Sequence, residues 1–188
     1  AQGATGPMQM PAPAAAKAPD NAVSGADWTA WGGTYNALRY STLDQITPDN
    51  VGQLKRVWTY RTGDMPNANT EGKYSPETTP LKIGDRMYLC SAKNILIALD
   101  PATGKEVWRY DPKVSDDAIP YGATCRGVVY YKNPSASEGS ACAARIIEGT
   151  LDARLIAVDA EDGKPCADFG NGGAVDLTEG IGETVPGW

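Results

Sequence analysis

The sequence contains no histidine. That absence removes the usual general base, the usual activator of a nucleophile and the commonest transition-metal ligand, so a Ser-His-Asp hydrolase and a His-ligated zinc enzyme are both excluded. It also lacks any long basic run. Its 17 basic residues stand against 23 acidic ones, for a net charge of −6, which leaves no positive stripe to hold nucleic acid. No apolar stretch is long enough to span a bilayer as a helix. CxxC spacing is missing as well: Cys90, Cys125, Cys142 and Cys166 stand far apart, so neither a zinc ribbon nor a thioredoxin-like motif is present. An even number of isolated cysteines points instead to two disulfides formed in a periplasmic or extracellular setting, and on spacing alone three pairings are open.

Residues 1–27 are rich in Ala, Pro and Gly, carry no aromatic side chain and show no hydrophobic period, so they read as a flexible leader. They contain no apolar core of a signal peptide, and the start at Ala1 suggests that one has been removed.

What the sequence does have is a repeat. LIALDPATGK at 96–105 and LIAVDAEDGK at 155–164 share six of ten residues in one register. Each is a short apolar strand leading into Asp-x-x-x-Gly, a turn in which Asp bonds its own backbone and Gly accepts positive φ. The first copy continues into VWRY (Val107, Trp108, Tyr110), and VWTY (Val57, Trp58, Tyr60) echoes it upstream; in the second copy Ala167 of PCADF takes the place of Trp108. Between these landmarks the apolar runs are short and bounded by Gly, Pro, Asp and Asn, which predicts an all-β protein. Only TPDNVGQL, with Thr47 before Pro48, reads as a short capped helix. Grouped in fours, the strands predict two antiparallel sheets over 77–110 and 125–169, the pattern of successive β-propeller blades. A small β-sandwich is the plainer alternative.

The pattern ALDPATGKEVW resembles the tryptophan-docking repeat of quinoprotein dehydrogenases. Longer stretches, including DWTAWGGTYNALRYSTLDQITPDNVGQLKRVWTYRTGD, ETTPLKIGDRMYLCSA, TCRGVVYY and RIIEGTLDARLIAVDAEDGKPCADFGNGG, are similar to the glucose, quinate/shikimate and polyol branch of that family. The resemblance implies the first part of an eight-bladed propeller: 28–75 as lead-in with the outer strand of the closing blade, 76–124 as the first blade and its connecting loop, and 125–188 as the second blade and the start of the next connection. Such a part has long open edges, so the rest of the propeller is expected from a partner polypeptide, either the remainder of the same enzyme or a second chain.

The resemblance also implies a periplasmic, membrane-associated enzyme that oxidises a sugar, polyol or cyclitol hydroxyl using pyrroloquinoline quinone and Ca²⁺ and passes electrons to ubiquinone. Its cofactor-binding positions fall here on Glu77, Arg126 and Thr150. A tricarboxylate quinone suits such a set, because a guanidinium and directional donors match its charge and edges. The vicinal cysteines of methanol-type relatives are replaced by Pro120 and Tyr121, and Tyr121 is expected to contact a face of the cofactor. The histidine of glucose-type relatives is replaced by Gly122, which favours a polyol or cyclitol over glucose. In the blade arrangement so implied, Cys90 and Cys125 share the cofactor face and Cys142 and Cys166 the opposite one, giving the pairs Cys90–Cys125 and Cys142–Cys166. The catalytic base and the Ca²⁺ ligands are expected beyond Trp188; Asp100, Asp159, Asp162 and Asp176 read as turn residues. A propeller scaffold without cofactor and a carbohydrate-binding β-protein are the rival readings.

Overall fold

A computed structural model describes residues 25–119 and 121–183; most of the leader segment, Pro120 and the last residues, including Trp188, lie outside the described residues. Eight strands form two four-stranded antiparallel sheets, each a simple meander in chain order. The first contains β1 (Leu81–Ile83), β2 (Arg86–Cys90), β3 (Leu96–Leu99) and β4 (Glu106–Tyr110). The second contains β5 (Val129–Lys132), β6 (Ala144–Gly149), β7 (Arg154–Asp159) and β8 (Ala174–Asp176).

The repeated sequence makes the third strand and the turn after it in each sheet. Asp100 Oδ1 accepts the Ala102 amide at 2.8 Å and Gly104 N–H returns to the Asp100 carbonyl at 2.8 Å. The second copy repeats this with Asp159, Glu161 and Gly163. All four residues of β3 are buried, as a strand covered on both faces requires.

The two sheets meet face to face. Leu81, Tyr88, Cys90, Leu96, Ala98 and Trp108 of the first pack on Cys125, Val128, Ile146, Ile156, Val158 and Ala160 of the second. Trp108 is the centre of this seam: its ring lies over Gly163, where an added Cβ would come within 2.7 Å, and its Nε1 donates to the Ala160 carbonyl at 3.0 Å. Gly163 also has φ +73°, so it is glycine for two reasons. The Tyr88 hydroxyl donates to the same Ala160 carbonyl at 3.2 Å. Trp58 repeats the arrangement one step upstream, over Gly104 and donating to the Pro101 carbonyl at 3.1 Å. Beside it Arg109 donates to the Tyr60 hydroxyl and the Thr62 carbonyl, each at 2.8 Å. The segment carrying Trp58 has no ladder partner among the described residues, and Val57 is 83% exposed.

Two local readings change. The fourth strand of the second sheet is not PCADF. Pro165 makes a bridge to Val158 and Cys166 N–H bonds the Ala157 carbonyl, but the chain then turns through Phe169 and a glycine-rich excursion before β8 resumes at Ala174. The cause is local: Cys166 is tied to Cys142, and Gly170, Gly172 and Gly173 all have positive φ, which no strand sustains. The short helix is also reduced to a 3-10 turn, Val51–Gln53, with Asn50 rather than Thr47 in the capping position. Thr47 N–H instead donates to Asn50 Oδ1 at 2.8 Å.

Candidate cofactor cradle

The segments that lead into β1 and β5 run side by side and parallel. Ala123 N–H bonds the Lys73 carbonyl at 2.8 Å, Ser75 N–H the Ala123 carbonyl at 2.9 Å, and Thr79 N–H the Arg126 carbonyl at 2.9 Å. This register sets Glu77 opposite Arg126, whose Nε donates to Glu77 Oε2 at 3.0 Å. The Arg126 side chain is 75% exposed and that of Glu77 45% exposed. An ion pair so open to water contributes at most about 1 kcal/mol to stability.

The disulfides are Cys90–Cys125 and Cys142–Cys166. The first ties the end of β2 to the residue before Arg126, and Thr78 Oγ1 lies 3.4 Å from the Cys90 sulfur. The second lies on the far face of the second sheet with Ala157, Ile147 and Phe169.

Thr150 stands apart from the Glu77–Arg126 pair. It follows β6, is buried, and its hydroxyl bonds Asp152 and the Arg154 carbonyl within its own turn. Arg154 braces that turn to the loop that follows the first sheet, donating to the Pro112 carbonyl at 2.7 Å. Tyr121 is 74% exposed, five residues before Arg126. An added Cβ at Gly122 would lie 3.5 Å from the Lys73 carbonyl, an ordinary contact, so space alone does not demand glycine there.

Beneath the cradle lies a buried polar pair that the motifs do not mark. Asn94 Nδ2 donates to Glu148 Oε1 at 2.9 Å, and Asn94 Oδ1 accepts the Leu151 amide at 2.9 Å. Burial pushes the Glu148 carboxyl up to about 8, against the Asn94 hydrogen bond, which lowers it. The alternation of RIIEG carries the signal: Glu148 is in phase with buried Ile146 and so faces the seam. Two groupings have metal-ligand proximity among the described residues, Cys90, Cys125 and Glu148, and Cys142, Cys166 and Asp168. Each contains a disulfide, whose sulfurs are not thiolate ligands. Among the described residues no helix is long and apolar enough to cross a membrane.

The glycerol dehydrogenase large subunit of Gluconobacter oxydans is 51% identical over 162 residues, which cover 86% of this chain and 22% of that protein. Quinoprotein glucose dehydrogenase A of Acinetobacter calcoaceticus is 42% identical over 193 residues, 97% of this chain and 24% of that one. The quinate/shikimate dehydrogenase (quinone) of Acinetobacter baylyi is 34% identical over 181 residues, 88% of this chain and 22% of its own. The chain thus spans between a fifth and a quarter of the length of these relatives. Among solved structures, the quinohemoprotein alcohol dehydrogenase of Comamonas testosteroni superposes with a TM-score of 0.62 at 29% identity, over 82% of this chain and 20% of that chain. Residues 28–188 match the pyrroloquinoline quinone (PQQ) β-propeller domain of glucose/ethanol/alcohol dehydrogenases, and the chain belongs to that family.

Proposed function

We propose that this chain supplies part of the cofactor cradle of a quinoprotein dehydrogenase that oxidises a small polyol. The observation that carries the reading is the exposed Arg126–Glu77 pair, held at the entries of two adjacent inner strands by the parallel contacts from Lys73 to Gly127. Its donor set fits the group. Arg126 would hold a cofactor carboxylate or quinone oxygen, Glu77 would orient the guanidinium and accept from the cofactor edge, and Tyr121 would cover one ring face; Thr150 would reach a carboxylate only by giving up a bond within its own turn. When bound, the cofactor supplies a two-electron acceptor for the alcohol, with Ca²⁺ as Lewis acid. The Arg126 charge would stabilise negative charge on an anionic or quinoid group held at this strand entry.

The remaining blades of an eight-bladed propeller come from a partner polypeptide, either the rest of the same enzyme or a second chain, and carry the Ca²⁺ ligands and the substrate base. The enzyme works in the periplasm at the inner membrane and passes electrons to ubiquinone. A polyol is favoured over glucose by Gly122 and by the 51% identity to a glycerol dehydrogenase large subunit. The test is an absorption titration of the full-length protein with pyrroloquinoline quinone and Ca²⁺, followed by turnover of glycerol, glucose and quinate. Arg126→Ala is expected to weaken cofactor binding by about 10- to 100-fold, the loss of one charge-assisted bidentate contact. Unchanged affinity and turnover in that variant would overturn the assignment.

A further inference from the structure

Glu148 is 4% exposed, yet it sits on β6 facing the seam between the sheets rather than water. One oxygen accepts from Asn94; the other, Oε2, is buried with no hydrogen-bond partner among the described residues. Around it stand a disulfide and a neutral amide. A carboxyl oxygen lies within 4.8 Å of the Cys90 and Cys125 sulfurs, which do not titrate, and the shift of Glu148 comes from burial and the Asn94 bond. Ile156 is its neighbour on β7, and Val128, buried just before β5, is apolar. The charged residues adjoining these groups are engaged elsewhere: Lys93 with Asp116, Arg126 with Glu77, and Arg154 with Asp152. A neutral acid leaves one oxygen unpaired here, which costs less than burying a charge. An anion has one donor and no counter-charge.

We propose that Glu148 is a protonation-gated positioning residue of the cofactor cradle: as a neutral acid it holds the Thr150 turn of the second sheet to the Asn94 turn of the first, and as an anion it opposes the anionic cofactor. The proposal rests on the cradle reading above. Its geometry is the chain of bonds from Glu148 through Asn94 to the Leu151 amide, next to Thr150. Two residues of extended chain separate Glu148 from Thr150, about 7 Å. A negative charge on Glu148 would repel an anionic group bound beside Thr150 through a poorly screened interior, and water drawn in to solvate the charge would part Asn94 from Leu151.

The experiment measures the dissociation constant of pyrroloquinoline quinone, with Ca²⁺ saturating, for the full-length apoenzyme from pH 6 to pH 9.5, beside its melting temperature at each pH. Wild type is expected to lose about tenfold or more in affinity as pH rises, by the electrostatic cost just described. Glu148→Gln, which cannot ionise but keeps an acceptor for Asn94, is expected to match wild type at pH 6 and to flatten the alkaline fall. Glu148→Ala should bind more weakly at every pH. If Glu148→Gln follows the wild-type affinity profile, the proposal is overturned. It is equally overturned if only the melting profile flattens, since the role is then purely structural. Failure of wild type to bind the cofactor at any pH instead refutes the cradle reading itself.

Discussion

Trp58 and Trp108 make the same contact in two different places. Each ring covers a positive-φ glycine in an Asp-x-x-x-Gly turn and donates to a carbonyl in that turn, Pro101 for one and Ala160 for the other. Trp108 leaves a strand paired in a four-stranded sheet and is only 8% exposed. Trp58 leaves a segment without a ladder, is half-buried, and has exposed neighbours. The motif therefore fixes where the ring lies, whereas the depth of burial depends on the sheet behind it. The two places also hold acids of opposite character. In the seam between the sheets, Glu148 is forced towards neutrality; beside Trp58, the hydrogen bond from Tyr60 holds the Glu106 carboxyl below its usual range.

That contrast breaks most visibly with pH. A carboxyl raised from 4.5 to about 8 makes the folded state the better proton binder, so its contribution is present in full below pH 4.5, falls through the interval, and is gone above pH 8. At 1.36 kcal/mol per unit the slope sums to at most about 5 kcal/mol, reduced to the extent that water enters the seam. Denaturant melts of wild type and Glu148→Gln should converge at low pH and separate, with the variant more stable, towards pH 8. Glu106 has the opposite sign, with stability present above its unfolded value and lost as pH falls; its exposure keeps that effect small.

Next in size is the tryptophan itself. Trp108→Ala should cost about 3–5 kcal/mol, as for other buried aromatic truncations, and Trp58→Ala about 1–2 kcal/mol because its ring is already partly in water. Equal losses by chemical denaturation would mean that both rings are buried alike in the assembled protein. The glycines follow. Gly163→Ala combines positive-φ strain with a 2.7 Å clash against a ring that cannot move, for about 2–4 kcal/mol. Gly104→Ala meets Trp58 at 2.5 Å, but that ring can swing outward, leaving mainly the φ term of about 1–2 kcal/mol. Smallest is Arg126→Ala, which should move stability by less than about 1 kcal/mol while weakening cofactor binding, so its function and its fold separate cleanly.

Much of this was readable before any coordinates. The apolar runs with Asp-x-x-x-Gly turns carry their own strand and turn chemistry, so the two sheets and the repeated third strands follow from local rules. The Glu77–Arg126 pair needed more, because the residues are 49 apart and only the parallel approach of two strand entries joins them. What escaped were features set by tertiary context. Cys166 looks like the start of a strand until its disulfide to Cys142 and the glycines after Phe169 divert the chain to β8. Glu148 was visible only as a break in the alternation of β6, and its importance depends on Asn94, which is 54 residues away.

The docking geometry also bears on the order in which such a chain is made. Each tryptophan precedes the carbonyl that receives it, by 43 residues for Trp58 and 52 for Trp108. A seam is therefore completed by the next sheet to emerge during synthesis, and no long-range partner is needed before then. Growth from the ribosome can close one seam at a time in a fixed direction, leaving open only the newest sheet and the unladdered segment that carries Trp58.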